Sequence, residues 1–302
     1  MPLDMTQPER VALPSASRFR EIVAARRPVI IDAGAALPRA CTAWTLDYLR
    51  ARILPHKSEL RVVVTDDGNW VDGTQLTMPT AAFFDALAAD AEDRCRYRPQ
   101  IRLDTHYPEL LADVELPAFL CPPLQVSSTN LWLGRGGNWT RTHWDLAENL
   151  VTQVHGDKEV ALSAPDGGLR PRAPWSAEAY NQATVADLLA DDLEAQLGDQ
   201  RLAIQRCTLR PGDTLYVPSL WWHCMRGRGL NMSVNSWFSP WDRDEMHAWA
   251  LLRRLAEHFD RLPAFHREHI RRYVGAPVEG PAAPTITLDQ LLGLDQIDEN
   301  AS

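Results

Sequence analysis

The chain has 302 residues, and its 31 Lys and Arg against 40 Asp and Glu give a net charge of −9. Its 45% hydrophobic and 24% charged residues are typical of a globular protein, which excludes wholesale disorder, a collagen-like chain and a small disulfide-stapled fold. The negative charge argues against non-specific binding to nucleic acid, because phosphates attract a cationic face.

The cysteines and the N-terminus indicate the compartment. Five cysteines without a CxxC pair are typical of free thiols in a reducing environment. Residues 1–15 carry acids and prolines where a signal peptide needs an apolar core. No run approaches the roughly 18 apolar residues of a membrane span. We therefore expect a cytoplasmic, soluble protein that binds neither membranes nor nucleic acid.

Residues 1–120 predict a mixed α/β flank that packs on the rest of the chain. Serines and threonines that can cap helices alternate here with short runs rich in valine and isoleucine. The predicted helices begin at Ser15 or Ser17, Thr45 and Thr80 and end at Ala25, Ile53 and about Ala91, and the predicted strands are Pro28–Ile31 and Arg61–Thr65.

Residues 121–240 change to short β-type runs separated by Gly, Pro, Asn and Asp, which predicts a mainly β fold, a jelly roll or double-stranded β-helix of the cupin type. An insertion at residues 164–200 interrupts the runs, and we expect it to form a lid with a helix at Thr184–Leu197. The predicted strands are Asn130–Gly134, His143–His155, Lys158–Ser163, Thr214–Val217 and Asn231–Phe238.

Residues 241–275 predict a C-terminal helix pair. Asp242 and Glu245 have the spacing of a capping box, and an apolar stripe from Met246 to Leu262 ends at Pro263. A second helix is expected at 264–274. The stripe either packs on its own barrel or forms a homodimer face, and the sequence leaves both open. Residues 276–302 form a Pro-rich and then acidic tail.

The sequence HWD at residues 143–145 is the strongest chemical signal. On a strand, residues two apart point to the same face, so His143 and Asp145 would project side by side. A second imidazole would complete the facial triad of two histidines and one carboxylate that suits non-haem Fe(II). His223 offers it, following the turn at 210–213 and a short strand closed by Pro218. Each of these residues taken alone is more often structural.

Lysine is rare in this chain, because only Lys57 and Lys158 stand among the 31 basic residues. Such a bias most simply reflects a GC-rich genome that encodes surface cations as arginine. Lys158 lies inside an apolar stretch, so its retention there asks for a specific reason.

Three blocks of sequence resemble one known family. The segments are GGNWTRTHWD (136–145) followed by Asn149 and GDK (156–158), then RPGDTLYVPSLWWH (210–223), then SVNSWF (233–238). In this order they resemble the cupin-like JmjC hydroxylases, in particular the asparaginyl hydroxylase type that acts on hypoxia-inducible factor. The motif-dense match covers about residues 130–238, and a looser one covers residues 14–120 and the C-terminal helices.

The resemblance implies a double-stranded β-helix that holds Fe(II) through His143, Asp145 and His223 and uses 2-oxoglutarate and O2. Lys158 would pair with the distal carboxylate of 2-oxoglutarate, since an unpaired charge in a barrel is costly, and the Thr140 hydroxyl would donate to the same group. The other residues that match the family's cosubstrate pocket are Asn149, Asn235 and Tyr97, although Pro99 departs from the usual pattern near Tyr97.

The function implied by the resemblance is hydroxylation of an unactivated C–H bond, with succinate and carbon dioxide as coproducts. The expected substrate is an amino-acid side chain of a protein or peptide. The alternatives are a small molecule or free amino acid, removal of an N-methyl group, a metal-binding cupin without oxygenase activity such as an isomerase or zinc enzyme, and a non-enzymatic scaffold. Several tryptophans near the motifs either line a dry pocket or, for most of them, belong to the core: Trp132, Trp139, Trp144, Trp221, Trp222 and Trp237.

Overall fold

A computed structural model of the protein describes residues 3–34, 36–89, 95–114, 125–173, 179, 181–197, 201–239 and 259–267. Its contacts divide the chain into two units, residues 1–169 with 185–240 and residues 170–184 with 241–302. The second unit contains a bridge between Pro171 and Ala183 and a 3-10 turn at Phe259–Arg261. The predicted C-terminal helices lie mostly outside the described residues, as does the tail, and only residues 264–267 of the second one are seen as helix.

The first unit is built on two β-sheets. The strands are β1 (Leu3–Thr6), β2 (Glu9–Ala12), β3 (Val29–Asp32), β4 (Glu59–Thr65), β5 (Thr74–Pro79), β6 (Cys95–Arg102), β7 (Gln125–Arg135), β8 (Glu148–His155), β9 (Lys158–Ser163), β10 (Leu202–Leu209), β11 (Asp213–Val217), β12 (Trp222–Gly227) and β13 (Asn231–Ser239). The major sheet has the order β2-β3-β11-β8-β13-β7-β6-β4-β5, and the minor sheet has the order β1-β10-β9-β12. The mainly β, jelly-roll prediction is confirmed.

Helices cover the outer face of the major sheet. They are α1 (Ala16–Ala25), α2 (Arg39–Ala43), α3 (Leu46–Ile53), α4 (Thr80–Ala88), α5 (Leu103–His106) and α6 (Pro108–Asp113). A further short helix, α7 (Leu193–Leu197), lies within the insertion. The Ser15 side chain accepts a hydrogen bond from the Arg18 N–H and caps α1, and Thr45 caps α3 in the same way. These caps confirm two predicted helix starts.

The strand β3 shows how the two layers are filled. Val29 and Ile31 pack with α1 on the outer face, whereas Ile30 points between the sheets with Val151 and Leu215. Successive side chains of a strand point to opposite faces, so a strand that is covered on both sides is apolar at every position. The interior between the two sheets is therefore mostly apolar, and the few polar side chains in it are costly unless they bind a partner.

Two predicted elements are shorter than expected. The strand predicted at 143–155 begins only at Glu148, because His143 pairs with His223 of the minor sheet whereas β8 belongs to the major sheet. The chain must leave one sheet to enter the other. The helix predicted at 184–197 is reduced to Leu193–Leu197, since Ala186 and Asp187 use their oxygens to bind Thr142 and Arg226.

Two predicted elements have different limits, and several strands were missed. The strand predicted at 130–134 extends over all of β7 in the major sheet, and α4 ends at Ala88 rather than Ala91. The strands β1, β2, β5, β6, β10 and β12 were not predicted. The strands before residue 114 are hydrogen bonded into the two sheets. The domain boundaries given above stay a prediction.

Candidate metal centre

A pocket opens in the jelly roll and contains about 510 Å³ of open space, counted to its mouth. One side carries three side chains that can bind a metal, another carries a lysine, and aromatic rings form much of the remaining wall. The lining residues are Trp70, Tyr97, Trp132, Asn138, Thr140, His143, Asp145, Asn149, Val151, Lys158, His223, Met225, Ser233, Asn235 and Trp237. Every residue that the sequence nominated for the site lines this one pocket.

Three of these residues could hold a metal ion. One ligand atom from each of His143, Asp145 and His223 lies within 4.8 Å of the other two. Nε2 of His143 is 4.0 Å from Asp145 Oδ1, and Nε2 of His223 is 3.8 Å from Asp145 Oδ2. These separations exceed hydrogen-bond length and leave space for an ion between the three groups.

The two imidazoles are oriented by the backbone. His143 and His223 exchange both backbone hydrogen bonds, at 3.0 and 2.7 Å. Nδ1 of His143 lies 2.8 Å from the Arg141 carbonyl, and Nδ1 of His223 lies 2.9 Å from the Trp221 carbonyl. A carbonyl can only accept, so Nδ1 of each neutral ring carries the hydrogen, and each Nε2 keeps its lone pair.

Burial keeps His223 uncharged. Desolvation, followed by the neighbouring His143, holds the pKa of His223 well below its ordinary value, and the Asp145 carboxylate only partly opposes this. The neutral ring is the form that binds a metal.

Asp145 is held at both its backbone and its carboxylate. Its carbonyl accepts the Leu220 N–H at 2.8 Å, and Oδ2 accepts the Trp237 indole N–H at 3.2 Å. Leu220 has a left-handed φ of 67°, which costs conformational energy for a residue with a Cβ. The turn that contains it is therefore maintained by its surroundings.

A buried carboxylate supports this turn. Glu148 is 1% exposed, and its Oε2 accepts hydrogen bonds from the Tyr216 hydroxyl at 2.7 Å and the Ser219 N–H at 3.0 Å. Arg26 lies 3.7 Å from the other oxygen and donates to Ser219 Oγ at 2.8 Å. Because the turn precedes His223 and contacts Asp145, Glu148 acts on both. Sequence reasoning missed it, since its partners are distant in the chain.

Lys158, the first residue of β9, carries a cation inside the same pocket. It is 4% exposed, and its side-chain ammonium makes no hydrogen bond or ion pair with the residues that the structure describes. Burial lowers its pKa to about 8 from an ordinary 10.5. A buried, unpaired ammonium is costly, so an anion that reached it would be strongly stabilised.

Thr140 and Tyr97 lie on the pocket wall as the sequence nominated them. Thr140 Oγ1 accepts the Met225 N–H at 3.0 Å, and this acceptor role leaves the hydroxyl hydrogen available for another group. Tyr97 is 3% exposed and lies on β6 just before a break in its pairing with β7. The break contains Pro99, which has no N–H for the ladder, and Gln100, which has a φ of 52°.

Asn149 and Asn235 bind each other rather than standing as separate groups. Asn235 Nδ2 donates to Asn149 Oδ1 at 3.0 Å, and Asn235 Oδ1 accepts from the Trp132 indole at 2.7 Å and from Asn130 at 3.2 Å. This chain of amides fixes the Trp132 ring in the wall.

The aromatic wall consists of Trp70, Tyr97, Trp132 and Trp237. Tyr97 and Trp132 stack with centroids 6.1 Å apart, and Trp70 contacts both, at 5.8 and 5.9 Å. Trp132 and Trp237 therefore line the pocket, whereas Trp139 turns its indole to the Asp67 carbonyl. Trp70 was missed because it lies on a loop without a motif.

The donor set fits a divalent transition metal. Two neutral imidazole nitrogens and one carboxylate on one side of a pocket, with space opposite, are the facial triad of non-haem Fe(II) sites. Zn²⁺ accepts the same atoms. The unpaired Lys158 in the same pocket distinguishes the two cases, because a simple metal centre gives no reason to bury a cation nearby.

Comparisons with known proteins define the family. Residues 15–244 match the family described as "Cupin-like domain". The match covers more than half of the chain, so the chain belongs to the cupin-like domain family.

Similar proteins carry several functional names. The chain is 29% identical over 241 residues to "Lysine-specific demethylase 8" of Danio rerio, covering 76% of this chain and 58% of that protein. It is 29% identical over 257 residues to "Bifunctional peptidase and (3S)-lysyl hydroxylase JMJD7" of Homo sapiens, covering 73% and 79%. It is 24% identical over 241 residues to "tRNA wybutosine-synthesizing protein 5" of Gallus gallus, covering 72% of each.

Two further observations concern the length of the relatives and the helices of this chain. The chain spans little more than half the length of the demethylase relatives, 58% in Danio rerio and 51% in Xenopus tropicalis. Within the described part of the chain, no helix combines the length and the apolar character that crossing a membrane requires. Because three of the similar proteins are named for tRNA, the expectation that this chain avoids nucleic acid stays a prediction.

Proposed function

We propose that the protein is an Fe(II)- and 2-oxoglutarate-dependent oxygenase that hydroxylates an unactivated C–H bond on an amino-acid side chain of a protein or peptide. The observation that carries the proposal is the meeting, in one pocket, of the His143–Asp145–His223 cluster with the buried, unpaired Lys158. The names of the lysyl hydroxylase and demethylase relatives support the same chemistry.

In this proposal His143, Asp145 and His223 hold the metal. Both imidazoles present an unprotonated Nε2, and Trp237 holds Asp145 Oδ2 by a hydrogen bond. Iron with 2-oxoglutarate and O2 supplies the oxidant for C–H hydroxylation. The protein groups therefore position the reactants and need not transfer protons.

Lys158, Thr140 and Tyr97 bind the distal carboxylate of 2-oxoglutarate. The ammonium supplies the opposite charge, and the Thr140 hydroxyl can donate because its oxygen already accepts from Met225. The linked amides of Asn149 and Asn235 orient the wall beside the metal. The aromatic rings exclude water, which strengthens each of these interactions.

The substrate is proposed at the level of a protein or peptide side chain. Removal of an N-methyl group uses the same site chemistry and remains the alternative named by the demethylase relatives. A small-molecule substrate, the resemblance to the asparaginyl hydroxylase type and the cytoplasmic location stay predictions.

The test is Fe(II)-dependent turnover. The purified protein is incubated with Fe(II), 2-oxoglutarate and O2 and a pool of peptides, and succinate and peptide masses are measured. We expect succinate to form and a peptide to gain one oxygen atom. A product that instead loses a methyl group as formaldehyde would establish the demethylase alternative.

The same experiment with Zn²⁺ or Mn²⁺ in place of Fe(II) is the control, and it should give no succinate. If 2-oxoglutarate neither binds the metal-loaded protein nor is consumed with Fe(II), the oxygenase proposal is wrong and the non-oxygenase cupin remains.

A further inference from the structure

Asn138 is a buried polar residue of the pocket to which the sequence motifs assign no role. Its side chain is 3% exposed, and its Oδ1 accepts no hydrogen bond from any residue that the structure describes. A buried amide without a partner is destabilising, so native structures seldom keep one unless water or a ligand completes it. Asn138 lines the pocket, so such a ligand can reach it.

The backbone places Asn138 on the same face as Thr140. Residues 138–140 pair with residues 225–227, through Thr140 N–H to the Met225 carbonyl at 3.0 Å and Gly227 N–H to the Asn138 carbonyl at 2.9 Å. Side chains two apart on such a segment point the same way. Asn138 and Thr140 therefore face the pocket together, and Trp139 between them faces away.

The same pairing aligns Asn138 with Lys158. Gly227, the partner of Asn138, lies opposite Lys158 in the pairing of β12 with β9. Asn138 and Lys158 are thus two strand spacings apart, roughly 10 Å between backbones. The four-carbon stem of the lysine and a bound carboxylate together span that separation.

Tyr97 lies on the other side of the amide. A Cβ placed on Gly134 would come within 3.1 Å of Asn138 Oδ1 and 2.5 Å of the Tyr97 ring. The bare glycine therefore leaves the room in which the amide and the ring stand side by side. Asn138 therefore lines the same part of the pocket as Tyr97, Thr140 and Lys158, the three residues proposed above for the distal carboxylate.

We propose that Asn138 is a further binding residue for the distal carboxylate of 2-oxoglutarate, which its side-chain NH2 contacts beside Lys158, Thr140 and Tyr97. A carboxylate can only accept hydrogen bonds, so it must be met by the NH2 of the amide and not by Oδ1. A half-turn about the last side-chain torsion exchanges the two atoms and lets the NH2 donate to the ligand. This inference rests on the proposed function and specifies its cosubstrate pocket.

The test compares two ligands that differ only at that carboxylate. Asn138→Ala and Asn138→Asp are loaded with Mn²⁺, and tryptophan fluorescence is titrated with 2-oxoglutarate and with 2-oxopentanoate, which ends in a methyl group instead. We expect Asn138→Ala to weaken 2-oxoglutarate about tenfold, the worth of a hydrogen bond to a charged group. Asn138→Asp places a second carboxylate beside the distal carboxylate of the ligand, and the repulsion should weaken the binding of 2-oxoglutarate about a hundredfold. Neither variant should change the affinity for 2-oxopentanoate more than about twofold.

Thermal unfolding separates binding from a structural role. Since the native amide is unsatisfied, we expect the ligand-free Asn138→Ala protein to be no less stable than the wild type and to gain less stability from 2-oxoglutarate. An unchanged affinity for 2-oxoglutarate in both variants, or an equal loss for both ligands, would overturn the inference. A wild-type protein that binds neither ligand would instead refute the proposed function.

Discussion

The two ends of the pocket treat their polar groups in opposite ways. At the metal end, Nδ1 of both histidines and Oδ2 of Asp145 each have a hydrogen-bond partner in the protein. At the other end, the Lys158 ammonium and the Asn138 amide oxygen have none among the described residues. The metal end is the more exposed of the two, because the His143 and Asp145 side chains are each 24% exposed, whereas Lys158 and Asn138 are buried. Solvent therefore does not take the place of the missing partners at the other end.

The contrast separates two physical tasks. The metal end is already oriented by the protein, because second partners fix the ring and carboxylate positions before an ion binds. The other end keeps unsatisfied polar groups, and a ligand of opposite charge is needed to complete them. Changes at the first end should therefore alter metal binding, and changes at the second should alter binding of the diacid alone.

The largest effect is expected from removing a metal ligand. Asp145→Ala takes away the only carboxylate of the cluster, so we expect succinate formation to fall below detection and Co²⁺ affinity to drop by about a hundredfold or more. The visible spectrum of the Co²⁺-loaded protein reports the binding. Asp85→Ala removes an exposed carboxylate that pairs with Arg50 among the helices, and this variant should behave as the wild type. Normal turnover by Asp145→Ala would show that the cluster is misassigned.

The next largest effect is expected at the opposite end. Lys158→Met keeps the length of the side chain and removes its charge, so 2-oxoglutarate should bind about a hundredfold more weakly while Co²⁺ affinity stays within about twofold. Titration calorimetry on the Mn²⁺-loaded protein measures this. The chain offers a matched control in Lys57→Met, an exposed residue and the only other lysine. If Lys158→Met bound the diacid normally, the two ends would not differ as described.

A smaller effect is expected from the support of the metal end. Glu148→Gln keeps the shape of the side chain but weakens its hold on Tyr216, Ser219 and Arg26, so Co²⁺ affinity should fall about tenfold, as for other outer partners of metal ligands. The Co²⁺ spectrum should shift because the turn before His223 relaxes.

Asp113→Asn is the control for this variant. Asp113 is an equally buried carboxylate, bonded to Trp44 and Tyr48 among the helices, so its replacement should lower the melting temperature without changing the Co²⁺ spectrum. If both variants lost metal to the same degree, the effect of Glu148 would be one of general stability.

The sequence predicted those helices and strands whose formation depends on residues close to one another in the chain. The apolar run of Val29, Ile30 and Ile31 and the caps at Ser15 and Thr45 are local features of the sequence, and these elements are found as expected. The strands β10 and β12 were missed because they are specified by pairing with β9 rather than by their own composition.

The candidate site divides in the same way. His143, Asp145 and His223 have motif spacing that the sequence displays, although the two-residue spacing of HWD does not act through one strand face as expected. The role of Glu148 is indicated only by its contact with Ser219. That of Asn138 is indicated only by the lack of a hydrogen-bond partner for its Oδ1 among the described residues. Neither property can be seen in a sequence.

The mildest test uses pH to neutralise Lys158 without changing a residue. Its pKa of about 8 in the free protein should rise when the carboxylate binds, because the anion stabilises the ammonium. Below pH 8 both forms are protonated and affinity is flat. Above it, binding requires uptake of a proton, so 2-oxoglutarate should bind about tenfold more weakly at pH 9 than at pH 7.

The other ionisable groups of the pocket are Tyr97, His143, Asp145 and His223. Titration calorimetry of the Mn²⁺-loaded protein in buffers of different ionisation enthalpy counts the protons, and the same series on Lys158→Met isolates the lysine. We expect uptake approaching one proton per ligand in the wild type at pH 9 and none in the variant. An affinity that stays flat to pH 9 in the wild type would mean that Lys158 is already paired in the free protein, which would erase the contrast between the two ends of the pocket.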